Sequence, residues 1–315
     1  MNNKINISTD KIYSNSSKLT VSIGIPAFNE EDNLEKLLFQ INEQNSDNYI
    51  LSNIFVASDG STDNTVDQLS KMSIPKLCII NGKKRIGKPK RINQIFAKSN
   101  SSVVIILDAD IRLSNKKVLL NLVKPFYKDK NTLLTSGVAK PFKPNSIVEK
   151  IVNNGLLIWD EVKSLTPNNE MYYCEGPIRA FRKKLYKEIK FPDYSADDVF
   201  PYLYCAKRQY GFKSVKTSVV YYKLVDSLWD YVLQNKRYLR SVKIQEKNFG
   251  SNVVTNYFTV KTKTKFYVLS KYFFHNLLYT SIYLTVILLS RMLMLFDNDG
   301  TDSKWKILKS TKEIK

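Results

Sequence analysis

The segment Val103-Val104-Ile105-Ile106-Leu107-Asp108-Ala109-Asp110 decides the fold class. Five apolar residues in a row, most of them β-branched, read as a strand buried on both faces. The carboxylates that close the segment are costly to bury unless a cation neutralises them. Ligands of open α/β sheets bind outside the carboxyl ends of the strands, and a hard divalent cation bridging substrate phosphates takes oxygen donors of this kind. The same residues also fit an acidic turn in which Asp110 caps a following helix. Asp-Ala-Asp taken alone leaves both readings open.

Working outward, strand-like and helix-like stretches alternate: 21–25 then 31–42, 54–58 then 65–71, 77–81 then 89–99, and 103–107 then 116–127. Leu34, Leu37, Leu38 and Ile41 share one helical face, as do Ile92, Ile95 and Phe96. Repeated β-α-β units with buried strands predict a mostly parallel, Rossmann-like sheet flanked by helices. Further on, 133–139 reads as a strand, 147–162 as a helix, 172–182 as a strand region and 198–210 as a helix.

With 315 residues, 43% of them hydrophobic, the chain can bury a full core. Its three cysteines form no CxxC pair, which argues against a disulfide framework or a thiolate zinc site. The single histidine, His275, lies late in the chain, so His-based triads and metal clusters are excluded from the first two thirds. Acid–base work falls to carboxylates. The net charge of +20 calls for an anionic partner: nucleic acid, an anionic lipid surface or a phosphorylated substrate. The basic residues gather in three knots: Lys83 to Arg91, Lys236 to Lys247, and Lys261 to Lys271.

Residues 1–18 are polar, lack the apolar core of a secretory signal, and are expected to form a flexible tail. The stretch 277–289 is nearly all apolar and is shorter than an unaided bilayer span, which suits a buried core helix. The wider stretch 272–296 is long enough to span and has lysines on both sides, which favours membrane contact, with spanning and interfacial placement both open.

Four constellations fall at strand ends. They are Pro26-Ala27-Phe28-Asn29-Glu30, Asp59-Gly60-Ser61-Thr62-Asp63, Gly87-Lys88 with Asn93, and Asp108-Ala109-Asp110. Each has a plain structural explanation: Asn29 and Asp63 can cap helices, Gly60 can supply a tight turn, and Lys88 can be a solvated lysine. Their co-location is the stronger signal, because parallel strands deliver all four loops to one edge and so build a single acidic cleft with a lysine in it.

The set VSIGIPAFNEE, SDGSTDNT, GKPKRIN and ILDAD resembles family 2 glycosyltransferases of the GT-A fold, in the family's order and at its approximate spacing. CEGPIRAFRKKLY is similar to the family's acceptor-side element, and SADDVFPYLYCAKRQYG to its acidic helix. The resemblance extends from about Val21 to about Gly250, which predicts a GT-A domain over 19–250 and a basic, apolar, helical, membrane-associated region over 251–315.

By that resemblance Pro26, Ala27, Asn29, Glu30, Asp59 and Gly60 would bind the nucleotide, and Asp108 and Asp110 would hold Mg2+ or Mn2+ on the donor diphosphate. Lys88 would neutralise phosphate charge. Asp198, in Ala196-Asp197-Asp198, would be the general base of an inverting transfer, with Gly176, Asp197 and Tyr238 on the acceptor side. Asp197 stands where the family usually has glutamate. Gln234-Asn235-Lys236-Arg237-Tyr238 resembles the Gln-x-x-Arg-Trp element of membrane-associated members, with tyrosine in place of tryptophan. Arg237 could clamp the diphosphate, or its helix could lie on anionic lipid.

The resemblance implies an inverting, metal-dependent enzyme at the cytoplasmic face of the cell membrane. It would move a sugar from a nucleotide-diphosphate donor, most often a UDP-sugar in this family, to a lipid-linked or surface-glycan acceptor. A polyprenyl-phosphate sugar synthase is the nearest alternative, although Ile111-Arg112-Leu113 lacks the Gln-His-Pro sequence common after the acidic motif there. A non-catalytic nucleotide-binding protein and a nucleic-acid-binding protein are the readings from other classes. The second gives no reason for acidic strand-end loops, which repel phosphate, so nucleic acid is not the expected partner.

Overall fold

A computed structural model of the chain describes residues 18–166, 170–193 and 197–296. Residues 1–17 of the expected tail, Ala196 and the end of the C-terminal region lie outside the described residues.

The chain runs β1 (Leu19–Ala27), α1 (Leu34–Asn42), β2 (Tyr49–Asp59), α2 (Thr65–Lys71), β3 (Leu77–Gly82), α3 (Lys88–Lys98) and β4 (Val103–Leu107). There follow β5 (Ile111–Leu113), α4 (Val118–Lys128), β6 (Thr132–Pro141), α5 (Ile147–Ser164) and a short 3-10 turn at Glu170–Tyr173. Then come β7 (Ile178–Arg182), α6 (Lys183–Glu188), α7 (Val199–Lys207), β8 (Gly211–Tyr222), α8 (Leu228–Phe249), α9 (Ser251–Phe258), α10 (Thr262–His275) and α11 (Leu277–Leu295).

One sheet carries the strands in the order β3-β2-β1-β4-β7-β6-β8-β5. The first four are parallel, as their helical crossovers require. From β4 onward the sheet is mixed: β7 runs antiparallel to both β4 and β6, β8 is parallel to β6, and β5 is antiparallel to β8. The change of direction closes β4 between two strands, and all five of its residues are fully buried. Each such Val, Ile or Leu contributes about 1.5–3 kcal/mol by leaving water. Gly24 in β1 faces α3, where an added Cβ would fall 2.5 Å from Ile95 Cγ2, so the strand and helix approach closely only without a side chain there.

Asp110 precedes a strand, not a helix, so its reading as a helix cap is withdrawn. The helix expected from residue 31 begins at Leu34. α5 opens with a reciprocal capping box, in which Ser146 Oγ accepts from Glu149 N at 3.0 Å and Glu149 Oε2 accepts from Ser146 N at 3.2 Å.

α11 packs against α8 and α5. Its inner face uses small polar residues: Thr280 and Ser290 are fully buried, Asn154 Nδ2 donates to Thr280 Oγ1 at 3.1 Å, and Ser290 Oγ donates to Val286 O at 2.7 Å. Its outer face leaves Leu278, Leu288 and Leu295 exposed. The helix has a mean hydropathy of 1.6 and is long and apolar enough to cross a membrane, yet only 17% of that stretch is buried in the protein. That exposure is not the pattern of a core helix.

Candidate active site

The parallel strands deliver their loops to one edge, and the loops lock to one another. Asn29 takes a left-handed backbone, φ 53°. Its Oδ1 accepts from Thr62 N at 2.9 Å and its Nδ2 donates to Thr62 Oγ1 at 3.2 Å, so it clasps the β2 loop and does not cap α1. The cap position of α2 falls on Asn64, and Asp63, one residue earlier, accepts from Thr65 N through its Oδ1 at 3.0 Å. Gly60, at φ 74°, turns where a Cβ would fall 2.8 Å from the Lys84 carbonyl carbon.

Asp59 is buried and saturated. Its Oδ1 accepts from Ile86 N at 2.8 Å and Arg91 Nε at 2.9 Å, and its Oδ2 accepts from Gly87 N at 2.9 Å. It therefore ties the β3–α3 loop, with Lys88 just beyond, to the end of β2. Glu30 is equally buried; its Oε2 accepts from Asn33 Nδ2 at 2.9 Å, and Arg112 Nη2 donates to Asn33 Oδ1 at 3.3 Å.

At the centre lies a chain of opposite charges. Lys88 Nζ sits 2.6 Å from Asp108 Oδ1 and 2.8 Å from Asp197 Oδ2, while Arg179 Nη2 donates to the same Asp197 oxygen at 2.5 Å. Arg179 is fully buried. Burial pulls the Lys88 ammonium down, but the carboxylates of Asp108 and Asp197 overcome it and hold it above its ordinary range. Burial favours the neutral form of Asp197, yet Lys88 and Arg179 outweigh that and keep it ionised well below the usual carboxylate range. Asp108 goes the other way, raised by burial and by the nearby charges of Asp197 and Asp110.

Asp198 heads α7, where its Oδ1 accepts from Val199 N at 2.8 Å. Capping does not take it out of the site, because the same side chain also lines the cavity. Burial, then the negative Asp197, raise its pKa. Gly176 lies beside it: a Cβ there would come 3.5 Å from Asp198 Cβ.

These groups surround a cavity of about 760 Å3. Pro26, Ala27, Glu30, Asp59, Lys88, Asp108, Asp110, Gly176, Asp197, Asp198, Arg237 and Tyr238 all line it. Asn29 and Gly60 do not; they shape the loops behind it. Sequence reasoning missed several wall residues. Arg179 stands as a lone charge within the apolar strand IRAF, a detectable signal of a buried ion pair. Glu175 lies beside Gly176 within CEGPIRAFRKKLY, the stretch similar to an acceptor-side element, but was given no role there. Trp159 of α5, Tyr222 of β8, and Tyr283, Ile287 and Ser290 of α11 also line the cavity, brought there by helix packing that periodicity does not encode.

Among the described residues no group of three or more His, Cys, Asp or Glu could cage a metal. The donor set instead suits a shared ion. The Asp110 carboxylate lines the cavity and takes no hydrogen bond from the described residues, and Asp108 already holds a cation, the Lys88 ammonium. Two hard oxygen donors of this kind would suit a divalent cation such as Mg2+ or Mn2+.

Comparison with known proteins agrees with this architecture. The model of glycosyl transferase family 2 matches residues 22–190. The chain belongs to that family, and it is a glycosyltransferase of GT-A fold. An uncharacterized protein of Methanocaldococcus jannaschii is 26% identical over 220 residues, covering 67% of this chain and 92% of its own. An uncharacterized glycosyltransferase of Synechocystis is 33% identical over 96 residues, 30% of each chain. Among solved structures, a mannosyltransferase of Pyrobaculum calidifontis in complex with GDP-Man and Mn2+ aligns with a TM-score of 0.64 at 17% identity, over 90% of this chain and 89% of its own. Glucosyl-3-phosphoglycerate synthase of Mycobacterium tuberculosis, in complex with Mn2+, UDP and glucosyl-3-phosphoglycerate, aligns with a TM-score of 0.54 at 15% identity, over 79% of this chain and 87% of its own.

Proposed function

We propose that the protein is an inverting, metal-dependent glycosyltransferase that moves a sugar from a nucleotide-diphosphate donor to a hydroxyl of a lipid-linked or surface-glycan acceptor. The observation that carries this reading is that Lys88, Asp108, Asp110 and Asp198 line one cavity. The solved relatives carry GDP-Man in one case and UDP in another, which supports a nucleotide-sugar donor of either kind.

Pro26, Ala27, Glu30 and Asp59 form the nucleotide wall. Lys88 and Arg237 take the diphosphate charge, and Asp108 and Asp110 are the ligands for Mg2+ or Mn2+. When bound, that ion neutralises charge on the leaving diphosphate. Asp198 removes the proton of the acceptor hydroxyl; the freed oxygen forms a bond to the anomeric carbon as the bond to the diphosphate oxygen breaks, and the electron pair leaves with the diphosphate. Gly176, Asp197 and Tyr238 belong to the acceptor side. The raised pKa of Asp198 makes it a stronger base than an ordinary aspartate, and the activity it supports falls as pH drops through that raised value.

The exposed apolar face of α11, with Phe266 and Phe274 exposed on α10, supports seating at the cytoplasmic face of an anionic membrane. The test is donor turnover with and without Mn2+. UDP-glucose or GDP-mannose is consumed by the wild type with Mn2+ and not without it. Asp198→Asn, which keeps a good helix cap, lowers transfer by about 100-fold or more at unchanged Tm. Equal rates in the two proteins would remove Asp198 from the role.

A further inference from the structure

We infer that Glu175 is an acceptor-binding residue, holding a second hydroxyl of a neutral polyol beside the one that Asp198 deprotonates, and that this pair of carboxyl groups selects a sugar hydroxyl over a phosphate as acceptor. The inference rests on the proposed glycosyl transfer and names its acceptor class.

Glu175 lines the cavity next to Gly176, where a Cβ would come into van der Waals contact with Asp198. Its Oε2 is held by Ala139 N at 2.6 Å, and its own backbone N donates to Ser136 Oγ at 2.8 Å, so one carboxyl oxygen and the main chain beneath it are both anchored. Its Oε1 takes no hydrogen bond from the described residues. A carboxyl group with one oxygen anchored and the other turned to a cavity is built to meet a ligand hydroxyl. Trp159 and Tyr222 line the same cavity and offer the flat apolar surfaces that a sugar ring covers.

The carboxylates around Glu175 and Asp198 disfavour an acidic group at this end of the cavity. A phosphate monoester is largely ionised at neutral pH, with its second pKa at about 6, so it needs cations and no base. An alcohol needs the base. The cations that bear on Asp198 and Glu175 are already engaged: Lys88 and Arg179 on Asp197, and Lys163 on Asp160 at 2.7 Å. Burial lifts Glu175 to about 7, so near neutrality it can give or accept a hydrogen bond, as a paired hydroxyl requires.

Octyl β-glucoside and octyl phosphate share a tail and differ in the head, so they separate the two acceptor classes. Each is offered to wild type, Glu175→Gln and Glu175→Ala with UDP-glucose or GDP-mannose and Mn2+. Acceptor-independent donor hydrolysis and Tm are followed in parallel. The expected result is transfer to the glucoside and not to the phosphate. Glu175→Ala raises the acceptor KM about tenfold or more, by a larger factor than it changes the donor KM, and Glu175→Gln recovers part of the loss. In wild type the acceptor KM falls as pH rises through 7, because a carboxylate accepts the stronger bond, with Lys163 and Asp160 of α5, Asp198 of α7 and Tyr222 of β8 facing the group; in Glu175→Gln it is flat. Preferred use of octyl phosphate, or an unchanged KM in Glu175→Ala, overturns the inference while donor turnover leaves the transferase reading standing. Absence of donor turnover in every arm overturns both.

Discussion

Single residues in this site serve two masters, fold and chemistry, and Glu175 shows what that costs. Its ordinary pKa of 4.5 is lifted to about 7 by burial. Between those values the unfolded chain has released a proton that the folded chain still holds. Its folded form is therefore favoured in full below 4.5, and that advantage is lost as pH rises through 7. The penalty at alkaline pH is about 3 kcal/mol before solvent screening reduces it. Glutamine keeps an oxygen for Ala139 N and has no proton to lose. Thermal melts should therefore show the Tm of Glu175→Gln gaining on wild type steadily from pH 4.5 to pH 8, and a constant difference across that range would refute the burial argument. Asp197 has the opposite sign: Lys88 and Arg179 hold it ionised, so its contribution is present at neutral pH and lost in acid.

At the scale of elements, the seat of Lys88 depends on how closely α3 lies on β1. Gly24→Ala would place a Cβ 2.5 Å from Ile95 Cγ2 and 2.9 Å from Ile106 Cδ1. Overpacking of this kind costs about 1–3 kcal/mol. Adding Ile106→Val removes Ile106 Cδ1, one of the two clashing groups, and should restore part of the loss, so a denaturation double-mutant cycle reads the coupling directly. The parallel half of the sheet was legible in the chain because its signals are local: buried β-branched runs, helical faces and turn residues recur within a few positions of one another. Asp108, Asp110 and Lys88 could be assigned to one cleft for the same reason, whereas Asp198 was assigned to it only through the family resemblance. The entry of β7 antiparallel beside β4 was not legible, since Ile178–Arg182 pairs with strands that periodicity cannot choose among. Nor was the clasp from Asn29 to Thr62, because a left-handed asparagine and a helix cap share one sequence signal.

Across the whole molecule, the net charge of +20 and the exposed apolar residues of α10 and α11 belong to one surface problem. Sedimentation with anionic vesicles should carry the protein down at low salt and release much of it as NaCl is raised, by screening of the basic helices. Leu288→Glu and Phe274→Glu, both on exposed positions, should weaken sedimentation at every salt concentration without lowering donor hydrolysis. Indifference to both salt and substitution would count against membrane seating.

The same α11 that turns Leu284, Leu288 and Leu295 outward lends Tyr283, Ile287 and Ser290 to the cavity wall. One helix is thus both hull and hold. Seated on a membrane as proposed, a catalyst so arranged would meet a bilayer-borne acceptor by lateral diffusion, and its rate would answer to the mole fraction of that acceptor within the lipid. Diluting the acceptor with inert lipid slows it, while adding more buffer does not.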